Sequence, residues 1–238
     1  MPRSKQLSFH DYRMKRGRGG PRRAAGRPRT LPRRVVHHVK RPGVPNGTPA
    51  HITLRVLPGI PSLRQRRFVN EFRRTLGNVS ERGEFRVVHY SVQRNHVHMI
   101  VEASGKQALG RGMKAVASRF AFAVNRVFQR AGKVLEGRYH LHLLTSPREV
   151  RNALAYVLLN ARKHWKQRTG RNPIARVDAA SSGAWFDGWK KSARVDIART
   201  RDGRSPPGNA EVARPRSWLL KRGWRRHGLI GLAEVPGS

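Results

Sequence analysis

Apolar residues between positions 51 and 165 recur at intervals of two in some stretches and of three to four in others, and this switching limits the fold more than any other property. In HITLRV, Ile52, Leu54 and Val56 alternate with His51, Thr53 and Arg55, which predicts a strand with one buried face. Phe68, Phe72 and Leu76 then recur at steps of four, with Gly77 available as a stop, so a helix is expected there. FRVVHYSVQ and HVHMIVEA are two β-rich runs separated by Arg94 and Asn95, a hairpin with a short turn. A longer amphipathic helix is predicted over about 108–131, where Met113, Val116, Phe120, Ala123 and Val127 line one side before Gly132. A short strand at about 138–144 precedes a helix over about 147–165, with Ser146 as N-cap, Pro147 at the first helical position and Glu149 near the positive end. The order β-α-β-β-α-β-α implies an α+β fold, an antiparallel sheet with helices on one face in the ferredoxin-like or RRM-like plan.

This pattern occupies residues 47–168, and the flanks read differently. Residues 1–46 carry RGRGG and PRRAAGRPRT with few apolar side chains, which predicts a basic disordered arm. Residues 169–238 form a basic, tryptophan-containing C-terminal tail; ARTRDGRSPPGNAEVARPR within it reads as linker, while AWFDGW and SWLLKRGWRRHGLI read as ordered islands. Lysine and arginine number 51 against 13 acidic residues, a formal charge of +38, so a compact state repels itself unless a polyanion is near and nucleic acid is the expected partner. No stretch approaches the roughly 20 apolar residues that span a bilayer, and Met1 to Lys15 lacks an apolar signal core, so no membrane association and a cytoplasmic, nucleoid-associated location are expected. The absence of cysteine excludes disulfides, thiolate zinc sites and cysteine nucleophiles, and leaves nitrogen and oxygen as the only metal donors.

Side chains two apart on a strand share a face, so His96 and His98 project together with Cα atoms about 6.6 Å apart, a spacing that lets two imidazoles share an ion. Val97, Met99 and Val101 then face the core. The same spacing recurs at His140 and His142, so it is not diagnostic by itself. Tyr156 and Asn160, in ALAYVLLNARKH, are four apart on a helix and lie about 40° apart around its axis. Val150, Ala153, Leu154, Val157 and Ala161 form the arc expected to be buried, with Tyr156 at its edge.

NHVHMIVEA resembles the HUH motif (His, hydrophobic, His) of the single-tyrosine transposases of bacterial insertion sequences and of the REP-associated tyrosine transposases. FAFAVNRVFQRAGKVLEGRYH and then ALAYVLLNARKH are similar to that family's helix, its glycine-containing turn with an Arg-Tyr pair, and its tyrosine-bearing helix, in the same order. The resemblance covers about residues 48–165 and departs at Ala161, where many relatives have proline. It implies that His96 and His98 bind a divalent ion, that Tyr156 is the nucleophile, and that Asn160 is a third, amide-type ligand. Two imidazoles and a carboxamide oxygen suit Mg2+ or Mn2+ and leave positions for phosphate and water. The implied activity is cleavage and rejoining of single-stranded, hairpin-bearing DNA through a 5′-phosphotyrosine, by a monomer or a homodimer.

Other residues are candidates for contact with DNA. Arg55, Arg86, Arg94, Arg119, Arg126 and Arg130 surround the predicted core and would meet phosphates. Arg138 and Tyr139 precede His140 in a basic strand, where Tyr139 is a rival nucleophile or a DNA contact. Glu102 shares the histidine face but lies about 13 Å along the strand from His98, too far for the same ion. In the tail, Trp218, Trp224, Arg225 and Arg226 combine stacking rings with cations; they either meet bases and phosphates or pack as a covering helix. A rival reading of the whole chain is a non-catalytic nucleic-acid-binding protein of RRM-like fold, though HVHMIVE lacks the aromatic pairs such sheets use for stacking. A domesticated or replication-type HUH nickase shares the chemistry of the first reading.

Overall fold

The computed structural model describes residues 43–171, 174–190 and 211–236. Five strands form one antiparallel sheet: β1 (Ala50–Arg55), β2 (Glu81–Arg82), β3 (Phe85–Val92), β4 (His96–Ala103) and β5 (His140–Leu143), in the order β2-β3-β4-β1-β5. Three long helices connect or follow them: α1 (Arg66–Gly77), α2 (Lys106–Val127) and α3 (Pro147–Thr169). The expected α+β class and antiparallel sheet are found, with β1, β3, β4, β5 and the three long helices near their predicted places and the two-residue β2 an addition at the edge. The hairpin β3–β4 turns through residues 93–95, as the Arg94-Asn95 break suggested.

Helices are shared between the two faces of the sheet. Helices α1 and α2 cover one face, where Val97, Met99 and Val101 of β4 and Ile52 and Leu54 of β1 are buried with Phe68, Phe72 and Phe120. The aromatic rings interlock: Phe72 stands edge-on to Phe120 at 5.8 Å and to Tyr90 at 5.3 Å. Gly112 brings α2 against β3, since a Cβ there would lie 2.1 Å from the Phe85 ring. Helix α3 covers the opposite face, packing Val150, Leu154, Val157 and Leu158 around Val88 and Ile100 of the sheet.

Local chemistry sets the limits of α3. The Ser146 hydroxyl accepts from the Glu149 backbone N–H, and the Glu149 carboxylate accepts from the Ser146 N–H, a reciprocal cap with Pro147 in the first turn. Its far end lies at Thr169, four residues beyond the expected end, where Gly170 adopts φ 68° and its N–H reaches the Lys166 carbonyl.

The C-terminal segment expected as a tail packs on α3. Phe186, Trp189, Leu220, Trp224, Ile230 and Leu232 join the second core, and a short helix α4 (Trp218–Lys221) carries part of it. Arg151 of α3 is bonded to Glu234 at 2.8 Å. Glu102 accepts the backbone N–H groups of Arg216 at 2.7 Å and Ser217 at 2.8 Å, which gives this buried carboxylate its partners and fixes the entry to α4. Both aromatic islands therefore form ordered structure. The basic arm up to residue 42 and the linker over 191–210 lie outside the described residues. Among the described residues, no helix is long and apolar enough to cross a membrane.

Candidate active site

Register decides which polar side chains meet. His98 stands opposite Thr53, and His96 opposite Arg55, in the β1–β4 pair; His51 and Thr53 stand opposite His142 and His140 in the β1–β5 pair. Directly opposed residues share a face, so the polar half of HITLRV, the polar half of HVHMIVEA and both histidines of β5 form one polar surface beneath α3. Its apolar alternates are the buried core on the other side.

His96 and His98 meet at the centre of that surface, with their Nε2 atoms 3.0 Å apart. The outer nitrogen of each ring is occupied: His96 Nδ1 is 2.8 Å from Asn95 Oδ1, while His98 Nδ1 lies 3.1 Å from both Thr53 Oγ1 and His51 Nε2. With Nδ1–H donating outward, both Nε2 lone pairs point at each other and invite a cation between them. Burial, reinforced by the His142 charge, lowers the His51 pKa to about 4, and burial together with Arg55, His164 and His51 lowers that of His96 to about 4. His98 is depressed further, first by burial and then by the charges of His51, His96, His164 and Arg55. Neutral imidazoles with free lone pairs at pH 7 are what a metal ligand requires.

Helix α3 lays Tyr156 across this pair. Its ring is edge-on to His98, with centroids 5.1 Å apart, and to His51 at 5.7 Å. Two turns later His164 comes within 6.4 Å of the His96 ring. Asn160 lies midway between these two contacts, so the helix carries it over the histidine pair. Asn160 is fully buried, and neither its Oδ1 nor its Nδ2 has a hydrogen-bond partner among the described residues. An unsatisfied buried amide costs about 1–3 kcal/mol, so its retention here points to a partner such as a cation at Oδ1.

The donor set fits a divalent ion. Two ligands at right angles and about 2.1 Å from one octahedral ion would be about 3.0 Å apart, which matches the Nε2 separation. Among the described residues no three histidine or carboxylate side chains group closely enough to hold an ion, and the orphaned Asn160 amide is a donor of another type.

Residues proposed for DNA contact divide in two. Arg94 is exposed on a cleft of about 910 Å³ that His96 and His164 also line. Arg119 and Arg126 sit on α2, on the other side of the sheet from the histidines, and Arg126 is paired with Glu71. Arg86 is buried against Glu81 at 2.8 Å, and so serves the fold instead of a phosphate. Arg55 reaches Glu136 at 3.7 Å, and Arg130 bonds Asn125 and the Lys133 carbonyl. Arg138 and Tyr139 precede β5, and Tyr139, partly buried, packs against the first core and not the second core that Tyr156 joins. Trp224 is 1% exposed and donates to the Leu220 carbonyl at 3.0 Å, so it packs as core and cannot stack on bases. Arg225 pairs with Asp187 at 2.8 Å, leaving Trp218, half exposed beneath Arg226, as the accessible ring of that segment.

Sequence reasoning missed His51, Thr53 and His164. His51 and Thr53 were visible as the polar half of an alternating strand, but their orientation toward His98 depends on the β1–β4 register. His164 carried a signal, since it lies one turn beyond Asn160 in ARKH.

The family model described as "Transposase IS200 like" matches residues 50–156, a span that opens with β1, contains His96 and His98, and ends on Tyr156. The structure of a REP-associated tyrosine transposase bound to a REP hairpin is 16% identical over 54% of this chain and 74% of its own, with a TM-score of 0.45. No curated protein sequence matches the chain. Residues 50–156, from β1 to Tyr156, are thus similar to the IS200-like transposases.

Proposed function

We propose that this protein is a DNA transposase that cleaves and rejoins single-stranded DNA through a 5′-phosphotyrosine on Tyr156, with Mg2+ or Mn2+ held by His96, His98 and Asn160. The observation that carries this reading is the edge-on approach of Tyr156 to His98 across the sheet. The ion would withdraw charge from the non-bridging oxygens of the scissile phosphate and hold it in place. Every other part of the reaction falls to the chain itself.

Thr53 and Asn95 fix the two imidazoles with Nε2 inward, and Lys163, whose Nζ is 5.5 Å from the Tyr156 ring, adds positive charge beside the phenol where an anionic phosphate must arrive. The tyrosine oxygen attacks phosphorus, the bond from phosphorus to the 3′ oxygen breaks, and that oxygen leaves as a 3′-hydroxyl after taking up a proton. The new phosphotyrosine bond conserves the energy of the cleaved linkage, so a second 3′-hydroxyl can displace Tyr156 and reseal DNA without ATP. The charge of +38 supports DNA as the partner. The REP hairpin in the similar solved structure names one type of DNA to try first.

The test is to incubate the protein with hairpin-bearing single-stranded oligonucleotides and Mn2+ and to resolve the products on a denaturing gel. A protein–DNA adduct that survives denaturation is expected; a protein that only binds nucleic acid gives none.

A further inference from the structure

The cleft beside His96 is built from the second half of α3, the β3–β4 turn and residues 174–178. Its cations are unusually free. Among the described residues, Arg94, Arg162, Arg168, Arg171 and Arg176 line it, and none of them has a carboxylate partner, whereas Arg64 at its rim is closed off by a two-point bond to Asp178. Arg162 is the telling member. It is 7% exposed and, among the described residues, its hydrogen bonds are to the carbonyls of Ile174 and Ala233 and its Nε has no partner. A buried guanidinium facing neutral carbonyls keeps its charge uncompensated, an arrangement that favours an anion in the adjoining space.

Trp165 supplies the second kind of contact. It lines the same cleft and is 46% exposed, with the Arg168 guanidinium 5.4 Å from its ring centroid. A flat ring at the edge of a cationic cleft offers a base a face to stack on while neighbouring arginines neutralise its phosphates.

We propose that this cleft is a binding track for single-stranded DNA, with a base stacked on Trp165 and the flanking phosphates on Arg94, Arg168 and Arg171, leading the strand to the His96–His98 pair. The proposal rests on the transposase reading for the identity of the nucleic acid, but not on any cutting by the protein. Duplex DNA presents phosphates but no free base faces, so Trp165 should matter only for single strands.

The experiment uses the full chain carrying Tyr156→Phe, without divalent metal, so that binding is read with no reaction. A fluorescein-labelled twelve-residue oligothymidylate and a labelled duplex of equal length are titrated in separate arms. Adding Trp165→Ala is expected to weaken the single strand roughly 5- to 150-fold and the duplex less than about twofold, with Trp165→Phe recovering most of the loss. Adding Arg168→Ala and Arg171→Ala together should lower the slope of log affinity against log salt by about 1.4 for the single strand. Single-strand affinity unchanged by Trp165→Ala, or an equal loss for strand and duplex, overturns the proposal, as does an unchanged salt slope. Absence of a covalent adduct from the unmodified protein overturns the transposase reading alone and leaves these binding results standing.

Discussion

Tyr156 on the last core helix stands edge-on to His98 on the central strand, with ring centroids 5.1 Å apart and planes at 76°. The helix reaches this position because its cap begins at Ser146, directly after β5, and because Val150, Leu154, Val157 and Leu158 seat it on Val88 and Ile100. The proposed nucleophile and the proposed metal-ligand pair, far apart in sequence, are thereby joined by packing alone.

Replacing Tyr156 by Phe removes the oxygen proposed to attack and little else, since the ring still meets His98 and His51. The variant should bind hairpin DNA within about twofold of the unmodified protein, and its strand cleavage should fall by at least about 10³-fold. A cleavage time course on labelled DNA beside a binding titration checks both halves.

Metal affinity should follow the donor set. His96→Ala or His98→Ala is expected to weaken Mn2+ binding by at least about tenfold in calorimetry, and Asn160→Ala by a smaller factor. His142→Ala, on the same face but opposite His51, should leave the metal affinity unchanged.

Acid should destabilise the metal-free fold through its buried histidines. His51 and His96 are lowered to about 4 and His89 to about 3, each chiefly by burial, from an ordinary value of 6.5. Because the folded state resists protonation, these groups contribute stability above pH 6.5 that is lost as pH falls toward 4. The urea midpoint should therefore drop between pH 7 and pH 4.5. His89 is buried between Ser182 and Phe186, so His89→Leu should flatten that dependence.

Only residues 144–146 separate β5 from α3, and the C-terminal segment grips the helix through Trp224 and the Arg151–Glu234 pair. Trp224→Ala should cost about 3–5 kcal/mol in denaturant unfolding. With the helix held on its own sheet, each chain should supply both tyrosine and ligands, so mixing Tyr156→Phe with His96→Ala should restore no cleavage. Recovery of activity in the mixture would show that helices are exchanged between subunits.

Much of this was legible in the chain. The alternations in HITLRV and HVHMIVEA announced both the strands and their buried faces, because a one-residue slip would turn Val97 and Met99 outward. Ser146, Pro147 and Glu149 marked the start of α3 through local hydrogen bonding alone. What stayed hidden depends on register or on distant packing. His51 became a neighbour of His98 only through the β1–β4 pairing, and Trp224 had the same basic surroundings as an exposed stacking ring until Phe186 and Ile230 were seen to enclose it. Arg126 likewise looked free in sequence, because Glu71, its partner, lies on another helix.

The most direct test of the central claim is to digest the covalent adduct formed with hairpin DNA and Mn2+ and locate the nucleotide-bearing residue by mass spectrometry. The account predicts a 5′-phosphodiester remnant on Tyr156, in the peptide that contains ALAYVLLNAR. Attachment to Tyr139, to a serine or to any other residue would contradict it.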